Sequence, residues 1–369
     1  MTKFGGFLQR KNIRPSAKLY FIDTMSSMAL GLFASLLIGT IFRTLGQYTG
    51  VALFTEIAGF ASKATGAALG VAIAYALKAP PLVLLSAAVV GMIGNDLGTE
   101  IAREGAETLT VAAGPAGAFI VTVVAVELGK MVSKETHIDI LVTPVVTILS
   151  GALLAKLICP AVAYGMYYIG YFVNWATEMQ PFLMGILVSV VVGIILTLPI
   201  SSAAICAMIG ITGLAGGAAT AGCCAQMVGF AVMSFKENRW GGLVSQGLGT
   251  SMLQMPNIVR NPRVWIAPTL ASAITGPIAT CVFHLEMNGA PINSGMGTCG
   301  LCGPIGVWTG WLAPSEDAIA KGAEAISATG LDWLGLVLVA IVLPAILAPL
   351  INMVCRRLGW VKDGDLKLD

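Results

Sequence analysis

The sequence predicts an all-α, polytopic membrane protein with about ten transmembrane helices, re-entrant segments and an internal repeat. Hydrophobic residues make up 56% of the chain and charged residues only 11%, whereas soluble globular domains carry about 25% charged residues. Several apolar runs reach the roughly 20 residues that a spanning helix needs. Three apolar motifs also recur in the same order. A soluble protein of this composition would lack the polar groups that cover a surface.

Basic side chains precede the first long apolar run and follow the last one. The stretch before the first run contains no apolar core with a small-residue cleavage site, so it does not resemble a cleaved signal peptide. The positive-inside rule then predicts that both ends are cytoplasmic, which requires an even number of crossings. We expect a basic N-terminus over residues 1–22 and a cytoplasmic tail over 355–369. The basic residues concerned are Lys3, Arg10, Lys11, Arg14, Lys18, Arg356 and Arg357.

The candidate crossings fall into two groups. The long apolar runs are 25–42, 114–132, 138–159, 181–199, 264–283 and 333–354, with 66–79 a shorter one. Other apolar stretches are too short or too rich in Gly to cross unaided, and these are 80–94, 162–175, 201–222, 223–235, 241–255 and 297–311. Such segments survive at membrane depth only when they are buried in protein or line a wet cavity. We therefore expect them to form re-entrant hairpins or broken helices.

The repeat is carried by three pairs of motifs. "GLFASLLIGTI" from Gly31 resembles "GILVSVVVGII" from Gly185, and "SAAVVGMIG" from Ser86 resembles "SAAICAMIG" from Ser202. "LVTPVVTILSG" from Leu141 pairs more loosely with "WIAPTLASAITG" from Trp265. The order predicts one membrane-embedded domain with repeats over 23–160 and 181–354. Paired repeats around a central site are a common plan of secondary transporters.

Three polar islands interrupt the apolar sequence and supply the candidate binding residues. Asn95 and Asp96 end an apolar run directly, either as a hairpin tip that reaches a cavity or as part of a solvated loop. Thr143 precedes Pro144 at the start of another run, where a proline frees a backbone carbonyl in a helix that crosses a membrane. This is either a functional kink or simply the end of a surface loop. The third island contains His284, Glu286, Asn288, Asn293, Ser294 and Thr298.

The third island has too many Gly and Pro residues for a continuous helix, yet the stretch after it is too apolar for an ordinary loop. Half-helices that meet at a polar, unwound tip satisfy both facts, although a periplasmic loop would show the same polarity. Ionisable residues at membrane depth are functional candidates by default. We therefore predict that this island binds a sugar or another small polar solute.

Several function classes find no support in the sequence. It contains no P-loop, no G-x-S-x-G and no H-E-x-x-H, so we expect no catalytic residue and no cofactor. Two His residues give no basis for a His-based metal centre. The pair Cys299 and Cys302 lacks the context that a redox or metal role requires. No basic face of the kind that nucleic acid needs is present.

Nearly the whole chain resembles a known family. "GPAGAFIVTVVAVELGKMVS", "HIDILVTPVVTILSG" and "NGAPINSGMGTCGLCGPIGVW" are similar to the membrane-embedded IIC subunits (EIIC) of the phosphoenolpyruvate-dependent sugar phosphotransferase system. "FGGFLQRKNIRPSAKLYFIDTMSSMALGLFASLLIGTIF" resembles the branch that contains the perfringolysin O regulator PfoR. The resemblance implies a homodimer in the bacterial inner membrane, with about ten transmembrane helices per protomer, an inverted repeat and two re-entrant hairpins that enclose the sugar. A separate IIB protein, with IIA, would supply the phosphoryl group.

The chain departs from the family pattern at two points. Glucose-superfamily members carry a Gly-Ile-Thr-Glu-Pro motif whose Glu holds the sugar, and here "MNGAPINSG" places Asn288 or Asn293 where that Glu is expected. The family's sugar-binding His has only His137 and His284 as counterparts. Three hypotheses follow: a sugar-transporting IIC subunit, a PfoR-type sensor that binds a ligand without phosphotransfer, and an ion-coupled transporter that uses Asp96 or Glu286.

Overall fold

The computed structural model describes residues 3–14, 16–103 and 106–368. It is mostly helical, at 78%, and it divides into two compact units, Met1–Tyr167 and Tyr168–Asp369. The helical class predicted from composition is thereby confirmed, while the inverted repeat and the re-entrant hairpins stay predictions.

In the first unit, short helices precede two long ones and a β-hairpin. The long helix Asp139–Thr177 begins in this unit and ends in the second. The helices are Lys3–Arg10, Thr24–Leu32, Ile38–Thr49, Ala52–Lys63, Thr65–Ala76, Pro81–Asp96, Gly114–Val132 and Asp139–Thr177, with π-helical turns Lys18–Asp23 and Phe33–Leu37 and strands Gly98–Arg103 and Ala106–Ala112.

Helices of the first unit approach closely where glycine removes the side chain. A Cβ built on Gly70 would lie 2.0 Å from the carbonyl oxygen of Ala87, on the neighbouring helix Pro81–Asp96. A methyl group at Gly70 would therefore overlap the backbone of that helix. Small residues at helix contacts are typical of membrane proteins. Lipid tails are as apolar as large side chains, so helices in a membrane associate through close packing rather than through the hydrophobic effect.

The β-hairpin was not expected, so the all-α prediction is incomplete here. Strands Gly98–Arg103 and Ala106–Ala112 pair antiparallel, with Glu100 opposite Thr110 and Ile101 opposite Leu109. The sequence "TLTVAA" supplies the Thr and Val residues that favour strands, and Ile101 and Val111 are both buried. A polar stretch that sequence reasoning treated as a hairpin tip and loop is thus ordered by strand pairing.

The apolar runs 138–159 and 162–175, expected as separate segments, form the single 39-residue helix Asp139–Thr177. Pro144 and Pro160 lie inside this helix without ending it. Each proline removes only one backbone donor, and the apolar residues on both sides continue the helical pattern.

The second unit is built around the helix Gly213–Met233, almost all of which is buried. Its α-helices are Pro181–Thr197, Ser202–Met208, Gly213–Met233, Phe235–Val244, Met255–Arg260, Ile266–Pro277, Pro291–Ser294, Cys302–Leu312, Glu316–Ala320, Gly330–Val337 and Leu343–Arg357. Shorter 3₁₀ and π turns extend them over Ser245–Gly249, Ser251–Gln254, Pro262–Trp265, Ile278–Val282, Cys299–Leu301 and Leu338–Val342. The apolar stretches 201–222 and 223–235, treated separately from sequence, thus contribute to one buried helix after a break.

The residues after the helix Leu343–Arg357 pack against the second unit. Gln254 Nε2 donates to the carbonyl oxygen of Leu366 at 3.0 Å, and Asn257 Nδ2 donates to that of Lys367 at 2.9 Å. The side chain of Leu366 is fully buried. Side-chain amides therefore satisfy the backbone of a segment that has no helix or strand of its own.

Length and composition identify six helices of the described chain that could cross a membrane, or up to seven if the bent pair Ala52–Lys63 and Thr65–Ala76 is one span. Pro81–Asp96 and Pro181–Thr197 are shorter apolar helices. At 1.5 Å per residue, both fall short of a bilayer core of about 30 Å. The expected total of about ten crossings stays a prediction. The six spans are Lys18–Arg43, Gly114–Val132, Asp139–Thr177, Gly213–Met233, Pro262–Val282 and Gly330–Arg357.

Candidate sugar-binding site

Two breaks in helical structure lie side by side in the second unit. The first, over residues 209–212, separates the helices Ser202–Met208 and Gly213–Met233. Gly210 and Gly213 adopt φ values of +59° and +64° there, a left-handed conformation that costs glycine little. The second break runs from 283 to 290, between a π-helical turn that ends at Val282 and the helix that begins at Pro291.

The two breaks are joined by backbone hydrogen bonds. Gly213 N donates to the Met287 carbonyl oxygen at 3.1 Å, and Met287 N donates to the Gly213 carbonyl oxygen at 3.0 Å. This isolated antiparallel bridge pairs the backbone N–H and C=O groups of Gly213 and Met287. Backbone groups that are removed from water need such partners. It also fixes the position of the residues on either side of Met287.

Glu286 and Asn288 flank that bridge and contact each other. Asn288 Nδ2 donates to Glu286 Oε2 at 2.8 Å, while Asn288 Oδ1 accepts from Gly213 N at 3.2 Å. The Asn288 side chain is only 1% exposed. The bond from Gly213 N fixes the Asn288 side chain, and Asn288 Nδ2 thereby orients the Glu286 carboxylate.

Glu286 lines a cavity of about 450 Å³, within the range of about 300–1,000 Å³ that is typical of small-molecule sites. Apolar side chains, among them Met184 and Ile211, form part of its wall. Lys321 Nζ donates to the carbonyl oxygen of Gly210 at 2.5 Å, which ties this ammonium to the first helix break. The polar residues that line the cavity are Asn174, Thr177, Thr212, Glu286 and Lys321.

This set of groups is suited to a neutral, hydroxylated ligand. A carboxylate accepts charge-assisted hydrogen bonds from hydroxyl groups, amide and hydroxyl side chains both donate and accept, and an ammonium donates. Among the described residues, no three His, Cys, Asp or Glu side chains are grouped so that they could hold a metal ion. The cavity therefore offers hydrogen-bond donors and acceptors to a ligand.

Comparison with protein families decides the identity of the chain. The family model described as phosphotransferase system, EIIC, matches residues 22–368. The chain belongs to the EIIC family. No curated protein and no solved structure matches it. As an EIIC protein it is an integral membrane subunit of a sugar transporter, with a sugar as substrate and IIB and IIA proteins as partners.

The binding residues predicted in the third polar island differ from one another in their surroundings. Glu286 lines the cavity, and Asn288 is hydrogen-bonded to its carboxylate. Ser294 is buried and donates to the Ile211 carbonyl oxygen at 3.2 Å, and Thr298 is buried and donates to the carbonyl oxygen of Gly247. These two hydroxyls hold the island against the rest of the unit.

Two further residues of the island are placed at its edges. His284 is exposed, with a left-handed φ of +44°, and it is not among the residues that line the cavity. Asn293 is half-buried beside Gly306, where a Cβ would lie 2.7 Å from the Asn293 Cβ. This close approach gives Asn293 a packing contact with the helix Cys302–Leu312.

The predicted residues of the first two islands belong to the first unit. Asn95 Nδ2 donates to Asp96 Oδ1 at 2.7 Å, at the end of the helix Pro81–Asp96. Thr143 is fully buried and its hydroxyl donates to Asp139 Oδ1 at 2.6 Å. Its hydroxyl thus pairs with the first residue of its own helix, and participation of these three residues in sugar binding stays a prediction.

Sequence reasoning missed four of the polar cavity residues. Thr212 lies in the break "GITG", where two glycines around a β-branched pair could have marked an interrupted helix. Asn174 and Thr177 end a long apolar run just before Pro181, and Lys321 lies in the polar stretch "PSEDAIAKGAE". None of these signals indicates which other segment the residue faces, because that depends on the packing of distant parts of the chain.

The Cys299 and Cys302 thiols are both buried. Burial, and to a lesser degree the neighbouring Cys302, raise the pKa of Cys299. A buried thiol with a raised pKa is a poor source of the thiolate that reacts or binds metal. These residues therefore act as small apolar side chains in the packing of the island.

Proposed function

We propose that this EIIC subunit binds its sugar in the cavity at Glu286 and carries it across the membrane for phosphorylation by a separate IIB protein. The observation that supports the proposal is the Glu286 carboxylate, oriented by a buried amide and facing a cavity between two interrupted helices. Broken helices that meet at a polar cavity are a recurrent substrate site in transporters. The Gly-Ile-Thr-Glu-Pro motif of glucose-superfamily members also holds the sugar through a carboxylate, and Glu286 lies in the same polar island as Asn288 and Asn293.

The test is solute binding and uptake by the full chain reconstituted in vesicles, with a panel of radiolabelled hexoses and hexitols. We expect Glu286→Gln to weaken binding about 10- to 100-fold, because a hydrogen bond to a charged group contributes about 1.5–3 kcal/mol. Glu316→Gln is the matched control, since Glu316 is exposed and the same charge is removed from the same unit. Equal losses in both variants, or no loss in either, would contradict the site.

Asn288→Ala provides a second test of the same site. It removes the side-chain amide that bonds to Glu286 Oε2 and to the backbone N–H of Gly213, so sugar affinity should fall about tenfold. Asn288→Asp should be worse than Ala, because it places a second carboxylate within hydrogen-bonding distance of Glu286. A ranking in which Asp binds as well as Asn would show that the pair does not orient Glu286 as a carboxylate.

A PfoR-type sensor remains the second candidate, and the absent Gly-Ile-Thr-Glu-Pro motif favours it. A sensor should bind sugar in the same assay without accumulating it, whether or not IIB is present. Uptake that depends on IIB and phosphoenolpyruvate supports transport instead. Uptake driven by a proton or sodium gradient alone would support the ion-coupled alternative with Asp96 or Glu286.

We further propose a homodimer in the bacterial inner membrane with both termini in the cytoplasm. The basic residues at both ends support this orientation through the positive-inside rule, and the family resemblance supports the dimer. Labelling of single cysteines introduced at Lys18 and at Gly364, from outside and after permeabilisation, tests the orientation. Labelling of either position in intact cells would overturn it.

A further inference from the structure

A second cavity, of about 320 Å³, lies in the first unit and is strongly cationic. Its charged lining consists of five cationic side chains and one carboxylate. These are Arg10, Lys11, Lys78, Lys130, Lys134 and Glu135.

Left-handed turns after three helices bring these residues together. Asn12 follows the helix that ends at Arg10, Lys78 follows the helix that ends at Ala76, and Lys134 follows the helix that ends at Val132, with φ values of +54°, +52° and +60°. Cations at helix C-termini are favoured by the negative end of the helix dipole. That effect accounts for individual lysines, but it does not require three helix ends to converge on one cavity.

Lys130 provides the buried base of the cavity. Its side chain is fully buried, and Nζ donates to the Leu77 carbonyl oxygen at 3.1 Å and to Glu127 Oε1 at 3.1 Å. Glu127 Oε2 also lies 3.1 Å from Nζ, so both oxygens of that carboxylate face the ammonium. The Glu127 carboxylate, which does not line the cavity, balances the positive charge of Lys130.

Glu135 neutralises part of the remaining charge. Its Oε1 lies 2.7 Å from Arg10 Nη2 and 2.5 Å from Lys11 Nζ. The hydrogen bond from Lys11 is the main reason that the pKa of Glu135 is lowered, so this carboxylate is ionised at neutral pH. Asp139 lies nearby and accepts from the backbone N–H of Lys134 at 2.6 Å.

Lys78 and Lys134 remain as exposed ammonium groups. Lys78 Nζ and Lys134 Nζ make no hydrogen bond or ion pair in the described part of the chain, although the Asp139 carboxylate is close enough to Lys134 to interact with its charge. Together with the buried Lys130, these two exposed ammonium groups line a concave site for an anion with several oxygen acceptors. Lysine is a common ligand of phosphate because it acts as a compact point charge.

We propose that this cavity binds a phosphate-type oxyanion. Two sources share that chemistry: the headgroup of an anionic phospholipid, and soluble phosphate or a phosphate ester. Basic pockets at the ends of transmembrane helices are known to accept lipid headgroups. The cavity belongs to the first unit, and the proposal is independent of the sugar site at Glu286.

The experiment uses the full chain in neutral detergent at constant ionic strength, and it has two arms. Calorimetric titration with inorganic phosphate, with chloride as the reference anion, tests the soluble source. Native mass spectrometry after incubation with phosphatidylglycerol, with phosphatidylcholine as the reference, tests the lipid source. Lys78→Gln/Lys134→Gln should weaken binding of the bound probe at least tenfold. Lys18→Gln/Lys63→Gln removes the same charge from exposed positions of the same unit and should leave binding unchanged.

Glu135→Gln supplies a test of opposite sign. Removing this carboxylate takes an anionic partner away from Arg10 and from Lys11, whose ammonium keeps its bond to the Ser133 carbonyl oxygen, so affinity for the bound probe should rise several-fold. Phosphate binding that the double variant loses supports the soluble source, and selective loss of phosphatidylglycerol supports the lipid source. The proposal is overturned if wild type binds neither probe selectively, if the double variant binds like its control, or if Glu135→Gln weakens binding.

Discussion

Gly217→Ala is expected to abolish sugar binding by displacing the segment that carries Glu286. A Cβ at Gly217 would lie 1.8 Å from the carbonyl oxygen of Leu285 and 2.9 Å from its carbonyl carbon. These are backbone atoms next to Glu286, so a change of side-chain rotamer cannot relieve the overlap. Overpacking of a well-packed interior costs about 1–3 kcal/mol and occasionally more, and we expect this site at the upper end, about 3 kcal/mol.

The measurement is sugar binding to the purified variant together with its thermal denaturation midpoint. Gly241→Ala is the matched control, because a Cβ there would meet no atom within 4 Å and alanine is a better helix former than glycine. The control should keep both stability and affinity. If Gly217→Ala binds sugar with unchanged affinity, Glu286 cannot depend on the close contact between the helix Gly213–Met233 and Leu285.

Lys130→Met is expected to destabilise the protein by about 3–5 kcal/mol, the usual cost of leaving one partner of a buried ion pair alone. Lys130 Nζ is the donor to the Leu77 carbonyl oxygen and the partner of Glu127, whose side chain is 13% exposed. Without the ammonium, Glu127 would keep Tyr20 as a neutral hydrogen-bond partner. Titration with sodium dodecyl sulfate, followed by circular dichroism, measures the change in the free energy of unfolding.

The double variant Glu127→Gln/Lys130→Met separates the electrostatic loss from the packing loss. It removes both charges at similar volume, so it should be more stable than Lys130→Met alone. Glu127→Gln by itself should also destabilise, since it leaves the buried ammonium without its carboxylate. A double variant that is less stable than Lys130→Met would show that the cost arises from packing rather than from an unpaired charge.

Hydropathy predicted the parts of the fold that are set by local sequence. The run 114–132 and the helix Gly114–Val132 have the same bounds, and the runs 264–283 and 333–354 lie within a few residues of the spans Pro262–Val282 and Gly330–Arg357. Within lipid, the backbone N–H and C=O groups of a segment must be hydrogen-bonded to each other. An apolar run that is long enough to cross the membrane is therefore expected to form a helix. The same reasoning placed the non-helical segment around Glu286, because Gly and Pro cannot continue a helix there.

Local patterns failed where distant segments stabilise each other. Pro144 and Pro160 lie inside one long helix, although the apolar sequence was divided at residues 160–161. The β-hairpin over Gly98–Ala112 is held by pairing across its two strands, which no apolar run reveals. The polar residues of the cavity at Glu286 come from segments more than 100 positions apart, such as Asn174 and Glu286.

The sequence by itself determined that this is a helical membrane protein, that it resembles the EIIC family, and that its backbone is interrupted near Glu286. These properties follow from composition and from neighbours along the chain, since lipid penalises every unpaired polar group. The tertiary structure alone decided that Asn288 holds Glu286 and that Thr212 and Lys321 share its cavity. It also brought five cations from three helix ends to a second cavity. Such convergence depends on how helices pack, and hydropathy carries no information about which polar residues will meet.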